Sequence, residues 1–449
     1  MLNPQTFIRR RTALSEAVGG QAILVYGHDC LPRNFAANTY PFRQDSSFLY
    51  LCGVALPGCA LQIDPEGRAT LYVVPPSPGD AIWHDEPPGF EELGAASGVD
   101  RVLPRSELRA EGCLVLPVAD PTVATGPTSE ALIRAMVSLR LRRDEEEIAA
   151  MKRAVGVTAE AHRAAMEVTR PGVFDHEVQA VIEYRFSMRG MVPAYPSIVT
   201  ARGEVLHGHA SGVELKDGDL LLVDAGAESP EGYASDITRT WPVSGHFSGR
   251  QRAVYDAVLA AMDASVASLG PGVRYRDVHL ASARVLTAFL RDEGLLQGEV
   301  DGLLEAGAHA VFFPHGVGHL LGLDVHDMEL YGDLAGYAPG RDRDSQFGLN
   351  FLRLDRDMEP GIVVTIEPGI YFVPAILDDA SLQERLGDQV DWARARSWLP
   401  FGGIRIEDNL LVTETGCECL SEMIPRSAAQ VEAVIGTRDL HRHCPPGDV

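Results

Sequence analysis

The chain has 449 residues, 45% apolar and 23% charged, a composition that fits two folded domains, or three, and excludes a disordered chain. Its 39 Lys and Arg stand against 63 Asp and Glu, and a formal net charge of −24 excludes nucleic acid and anionic membrane as main partners. No run of 18 apolar residues occurs, so no membrane span is predicted, and seven cysteines without framework spacing (Cys30, Cys52, Cys59, Cys113, Cys417, Cys419, Cys444) predict a reduced, cytoplasmic setting.

The first eighteen residues carry an arginine cluster with no apolar stretch behind it, which predicts an amphipathic surface helix rather than a secretory signal. Ala22–Gly27, Phe48–Val54, Ala69–Val74 and Leu114–Pro117 read as strands, with a proline-rich loop around Trp83, and together predict a small α/β domain. Thr128–Val137 and Asp144–Val168 read as helices. Asp144 is the expected N-cap of the second, followed by three glutamates where the helix dipole favours negative charge. The expected domains are residues 1–130 and 131–449, the second opening on a helical linker. Beyond it, Gln251–Leu269 and Tyr275–Glu293 read as helices, and Leu220–Asp224, Ala234–Val243, Ile362–Glu367 and Ile404–Thr413 as strands. Helices mixed with antiparallel hairpins predict an α+β domain.

Within LLLVDAGAESPEGYASDITRTWPV, a turn centred on residue 230 would set Asp224 and Asp236 opposite each other on one face. Paired carboxylates there repel, and a cation between them removes the penalty. Taken alone, two solvated hairpin aspartates explain the segment equally well. FFPHGVGHLLGLDVHD supplies His315, His319 and His326 among glycines, VVTIEPGIYF places Glu367 at a strand end, and FGGIRIEDN puts Arg405 and Glu407 on one strand face. Two Asp, two Glu and one His form an oxygen-rich set without thiolate, which favours Mn²⁺ or Co²⁺ over a structural zinc site. Two metals sharing bridging carboxylates hold a hydroxide at neutral pH and polarise a carbonyl, so hydrolysis is the expected reaction class.

The order Asp, Asp, His, Glu, Glu and the motifs HGVGHLLGLDVHD, TIEPGIYF and GGIRIEDN resemble the pita-bread metallopeptidases, the family of methionine aminopeptidase, aminopeptidase P and prolidase. PFRQDSSFLYLCGVALPG resembles the start of the creatinase-type N-terminal domain of the two proline-specific members. The resemblance implies that Asp224 holds one metal through both oxygens, Asp236 and Glu407 bridge, and His319 and Glu367 bind the second. The implied ions are two divalent metals, manganese first, with cobalt or zinc as alternatives. It further implies Glu367 as general base, His207 near the leaving nitrogen, His326 on the scissile carbonyl, Arg405 orienting the site, Tyr371 supporting it, and His315 on the pocket wall. Trp83 resembles a residue that reaches a neighbouring subunit's site, which implies a homodimer.

The stretch NFLRLDRDMEPG resembles prolidase, and Arg353 falls on the arginine that takes the dipeptide's C-terminal carboxylate. The implied substrates are short proline-containing peptides, first Xaa-Pro dipeptides. The alternative is aminopeptidase P acting on longer Xaa-Pro peptides. Such chemistry suits a bond to proline, whose nitrogen has no N–H for a protease to recognise.

Overall fold

A computed structural model describes residues 2–77, 79, 82, 83, 85, 87–119 and 128–439. The chain divides into two units, Met1–Arg142 with Met328–Ala335, and Arg143–Asp327 with Gly336–Val449.

In the first unit, fully buried Ile23, Leu24, Leu61, Ile63 and Leu71 belong to a five-stranded sheet. Its spatial order is Arg101–Pro104, Ala69–Val73, Ala60–Ile63, Ile23–Tyr26, Leu114–Val115. The two outer pairings are parallel and the inner ones antiparallel. The stretch predicted as a strand at Phe48–Val54 is instead the helix Ser46–Cys52. Asp45 caps it by accepting the Phe48 N–H at 2.8 Å, and Gly53 ends it in the left-handed region at φ 66°. Phe48, Tyr50, Leu51 and Cys52 are all buried, and a run buried nearly all round shows no period that separates helix from strand. The helix Pro4–Ala17 also departs from its surface expectation. Arg10 and Arg11 are buried and donate to the carbonyls of Tyr50, Leu51 and Ser97, at or near the C-terminal ends of the helices Ser46–Cys52 and Phe90–Ser97. Cations there satisfy orphan carbonyls and oppose the negative dipole end.

The second unit opens with the helix Glu145–Val168, capped by a reciprocal Asp144–Glu147 box. This helix and Asp175–Met188 bury Ala161, Ala165, Val178, Ile182 and Phe186 against Val223 and Trp241 of an antiparallel ladder. That ladder pairs Leu220–Asp224 with Thr238–Pro242 on one side and Ile198–Thr200 on the other. Asp224 pairs with Thr238, so Asp236 is not its partner as the sequence suggested. The turn centres one residue later than expected, and Asp236 lies two residues before Thr238, diagonal to Asp224. Gly226 permits the close crossing, since a Cβ there would stand 1.8 Å from the Ser235 carbonyl oxygen.

The strand predicted as continuous through Glu407 is broken there, while the one leading to Glu367 stops at Ile366, before Pro368, close to where it was expected to end. Val363–Ile366 pairs with Asp408–Val412, and Gly369–Tyr371 pairs with Gly403–Arg405. The two ladders share one register, so Glu367 and Glu407 stand opposite each other at the break. Pro368 cannot donate to a ladder, and the Glu407 N–H turns away to the Thr238 carbonyl at 3.0 Å.

Arg239 fastens the two sheets beside this break. Its guanidinium donates to Asp408 Oδ1 at 2.7 Å, to the carbonyls of Thr238 and Glu407, and to Pro425 O, with both charged side chains at most 1% exposed. Asp408→Ala would strand a buried guanidinium and is expected to lower unfolding stability by about 3–5 kcal/mol in urea denaturation. A loss under about 1 kcal/mol would show that the pair does not hold the sheets together.

Candidate active site

Two pairs of acids converge on this framework: Glu367 and Glu407 across the break, and Asp224 and Asp236 on the neighbouring ladder. Tyr195 ties the aspartates, its hydroxyl lying 2.6 Å from Asp224 Oδ1 and 2.6 Å from Asp236 Oδ1. One O–H carries one proton, so one of those two contacts needs a second proton or a cation to be favourable.

His319 closes the cluster. Its Nδ1 donates to the Leu320 carbonyl at 2.9 Å, which leaves the lone pair of the neutral ring on Nε2. That nitrogen faces Asp236 Oδ2 at 3.4 Å and Glu367 Oε1 at 3.6 Å. Asp236, His319 and Glu407 each bring one donor atom within 4.8 Å of the others. The Gly318 before His319 is needed by packing, because a Cβ would fall 2.2 Å from Thr365 O and 2.5 Å from the Tyr275 hydroxyl.

Arg405 runs behind the acids. It donates to Asp224 Oδ2 at 2.6 Å and to Thr238 Oγ1 at 3.1 Å, and the Thr238 hydroxyl in turn donates to Glu407 Oε2 at 2.7 Å. Tyr371 accepts from Arg405 at 3.4 Å and donates to His315 Nε2 at 2.9 Å. His315 Nδ1 donates to the Gly316 carbonyl and lies 3.9 Å from Glu367 Oε2.

Burial raises the carboxyls of Asp224, Asp236, Glu367 and Glu407, and neighbouring carboxylates add to the rise at Asp224, Glu367 and Glu407. Glu367 is pushed up to about 8 by burial against the pull of Arg405, with Asp236 and Asp224 pushing further. Four acids against one guanidinium, with an imidazole lone pair aimed into them, fit divalent cations bound by oxygen and one nitrogen. Burial and Arg405 hold His315 down to about 3, so it is neutral at pH 7.

Of the remaining predicted residues, His326, His207 and Arg353 lie near this cluster. The His326 ring lies 4.1 Å from that of His319, centroid to centroid. His207 sits on a partly exposed loop, held below the ordinary histidine value by partial burial and then by Arg405, with Asp224 pulling the other way and His326 and Arg353 adding to the depression. Arg353 is exposed, and its charge acts on Glu367, His315 and His207. Trp83 is 79% exposed on the first unit. Tyr195 and Thr238 were not among the expected site residues. Tyr195 precedes a strand of only three residues, and nothing in the spacing links it to an aspartate 29 residues on. Thr238 lies two residues past Asp236 on the same face, a signal that period-two counting could have used.

Residues 149–414 match metallopeptidase family M24, and residues 7–115 match the aminopeptidase P N-terminal domain. The Xaa-Pro aminopeptidase of Escherichia coli is 34% identical, over 97% of this chain and 98% of that one. The Xaa-Pro dipeptidase of Rattus norvegicus is 31% identical, over 98% and 93%. The solved structure of E. coli aminopeptidase P with the inhibitor Pro-Leu superposes with a TM-score of 0.80 at 32% identity, covering 96% of this chain and 98% of that one. With the matched segment spanning the acids, His319 and Arg405 alike, the fold is that of the pita-bread enzymes and the chain belongs to metallopeptidase family M24.

Proposed function

We propose that this enzyme hydrolyses Xaa-Pro dipeptides with two divalent ions, manganese first and cobalt or zinc as alternatives, held by Asp224, Asp236, His319, Glu367 and Glu407. The observation that carries the reading is the buried meeting of Asp236, Glu407 and Glu367 with the Nε2 lone pair of His319. When bound, the ions supply Lewis acidity and a nucleophilic water at neutral pH.

The chain's own groups do the rest. Glu367 is the most open of the acids facing His319 and Arg405, with 19% of its side chain exposed against 7% for Asp236 and 12% for Asp224, and it takes the proton of the attacking water. Arg405 fixes Asp224 directly and Glu407 through Thr238, so both carboxylates are oriented before substrate arrives. His326 approaches the scissile carbonyl, and His207 delivers a proton to the prolyl nitrogen as it leaves. Tyr371 orients His315, which lines the pocket. Arg353 takes the substrate carboxylate as a charged pair, its field on Glu367 supporting a place at the mouth of the site. Residues 1–130 form the N-terminal module and 131–449 the catalytic one. Trp83 completes the site of the second copy in a cytoplasmic homodimer.

A second reading is aminopeptidase P, favoured by the E. coli relative and by the solved aminopeptidase P structures. Substrate length separates the two. With Mn²⁺ supplied, Ala-Pro is the expected substrate over Ala-Pro-Ala. Arg353→Ala is expected to raise KM for Ala-Pro by roughly 10–100-fold, the loss of one charged hydrogen-bonded pair. Equal or better cleavage of the tripeptide, with Arg353→Ala unchanged, selects aminopeptidase P.

A further inference from the structure

Arg143 and Asp327 form an ion pair that the proposed reaction does not use, and neither side chain is more than 1% exposed. The Arg143 Nη2 that donates to Asp327 Oδ2 also donates to Leu321 O at 2.9 Å, so one nitrogen holds both ends of the segment 321–327. Asp327 adds two bonds of its own. Its N–H donates to Leu320 O at 2.9 Å, and its Oδ1 accepts the Asp324 N–H at 3.0 Å. Between these ends the chain passes closely over the pair at Gly322, where a Cβ would stand 2.7 Å from Arg143 Cζ and 2.8 Å from Asp327 Oδ2. The Gly322 carbonyl accepts the Ala234 N–H at 2.8 Å, and the Leu321 N–H donates to Val363 O at 3.0 Å. Those bonds fasten the loop to the segments that lead to Asp236 and Glu367.

This loop hangs between two histidines of the site. His319 precedes Leu320 and His326 precedes Asp327, so the Asp327–Leu320 bond joins the backbone beside one ring to the backbone beside the other. The rings lie 4.1 Å apart, centroid to centroid. The same Leu320 oxygen accepts from His319 Nδ1 at 2.9 Å. A carbonyl has two lone pairs and takes both donors at once. Holding that oxygen therefore holds the ring, and an imidazole bound through Nδ1 presents Nε2 in a set direction. Desolvation offsets much of the attraction within a buried ion pair, so this one counts less for net stability than for the loop geometry it permits.

We propose that Arg143 and Asp327 are positioning residues for the metal site. By closing the loop they fix the Leu320 carbonyl, which aims the Nε2 lone pair of His319 at Asp236 and Glu367 and sets the His326 ring beside it. This rests on the two-ion reading above.

The test reads metal binding before turnover. In calorimetric titration with MnCl2, Asp327→Asn is expected to bind roughly 10–100-fold more weakly than wild type, the cost of losing an outer partner of a metal-bound histidine. The visible absorption band of the protein loaded with CoCl2 should shift as well, because it follows the geometry of the donor atoms. Asp327→Asn strands a buried guanidinium, so a second variant, Arg143→Met with Asp327→Leu, replaces both partners by apolar side chains, a change that commonly leaves the fold as stable or more so. It is expected to melt cooperatively near the wild-type temperature and still to lose Mn²⁺ affinity by roughly 10-fold or more. Wild-type Mn²⁺ affinity and an unshifted cobalt band in either folded variant overturn the inference and leave the two-ion reading standing. A wild type that takes up neither Mn²⁺ nor Co²⁺ overturns that reading and this inference with it.

Discussion

Asp236→Asn is expected to lower kcat/KM for Ala-Pro by at least on the order of 1,000-fold, the several kcal/mol that a correctly held divalent ion contributes to the transition state. Asp236 stands at the centre of the acids, facing His319 Nε2 and sharing the Tyr195 hydroxyl with Asp224. An amide keeps the shape and can still accept from Tyr195, but it removes the negative charge and one anionic donor. The fold should survive, because Asn409 holds this residue through backbone alone: its side chain accepts the Asp236 N–H and donates to the Asp236 carbonyl. Metal content by mass spectrometry should fall below that of wild type while the circular-dichroism melt stays cooperative. Wild-type turnover in metal-replete Asp236→Asn protein would sink the two-metal reading.

The second large effect is linked to pH. Folded Glu367 titrates at about 8 and its ordinary value is 4.5, so between those values the native state holds a proton that the unfolded chain has released. The stability this group contributes is fully present below about pH 4.5 and is lost as pH rises through 8, at roughly 1.4 kcal/mol per pH unit. Burial moves Asp224, Asp236 and Glu407 in the same direction. Cations that neutralise these acids must displace their protons, so affinity rises with pH. The increase in Tm on adding excess Mn²⁺ is therefore expected to be larger at about pH 8 than at about pH 5. Buried His162 and His309, each held down to about 4 chiefly by burial, destabilise the fold as pH falls below 6.5. The readout is for that reason the metal-dependent increment in differential scanning fluorimetry rather than Tm itself. An increment that is flat with pH, or larger in acid, would contradict this assignment.

Much of the site could be read from the residues, because apolar strands ending in acids and a histidine-glycine loop are local patterns. What the sequence could not show was how those patterns meet. The Asp224–Asp236 hairpin pairs two residues away from the expected register, about a turn centred one residue later, which Gly226 permits by letting the Ser235 carbonyl approach. The opposition of Glu367 and Glu407 comes from pairing between segments about 40 residues apart, which no local periodicity reports. Phe48–Val54 reads as strand because a helix buried nearly all round has no alternation to betray it, although Asp45 and Gly53 are its caps in plain view. Arg10 and Arg11 were misplaced because charge predicts exposure only when no carbonyls await it inside.

The broken ladder at Glu367 and Glu407 also bears on how the protein assembles. The acids lie on strand ends that pair across long loops, with Arg405 reaching Asp224 over 181 residues of chain and Glu407 reaching Thr238 over 169. Because the proposed ligands come from segments far apart in sequence, a bound ion is not expected to nucleate folding as it does in a zinc finger. Closure of those loops must come first, and it is slow because its entropy is lost before any contact repays it. An ion that binds would then meet a site already built, and is expected to act on the escape rate, slowing unfolding and leaving the folding rate unchanged.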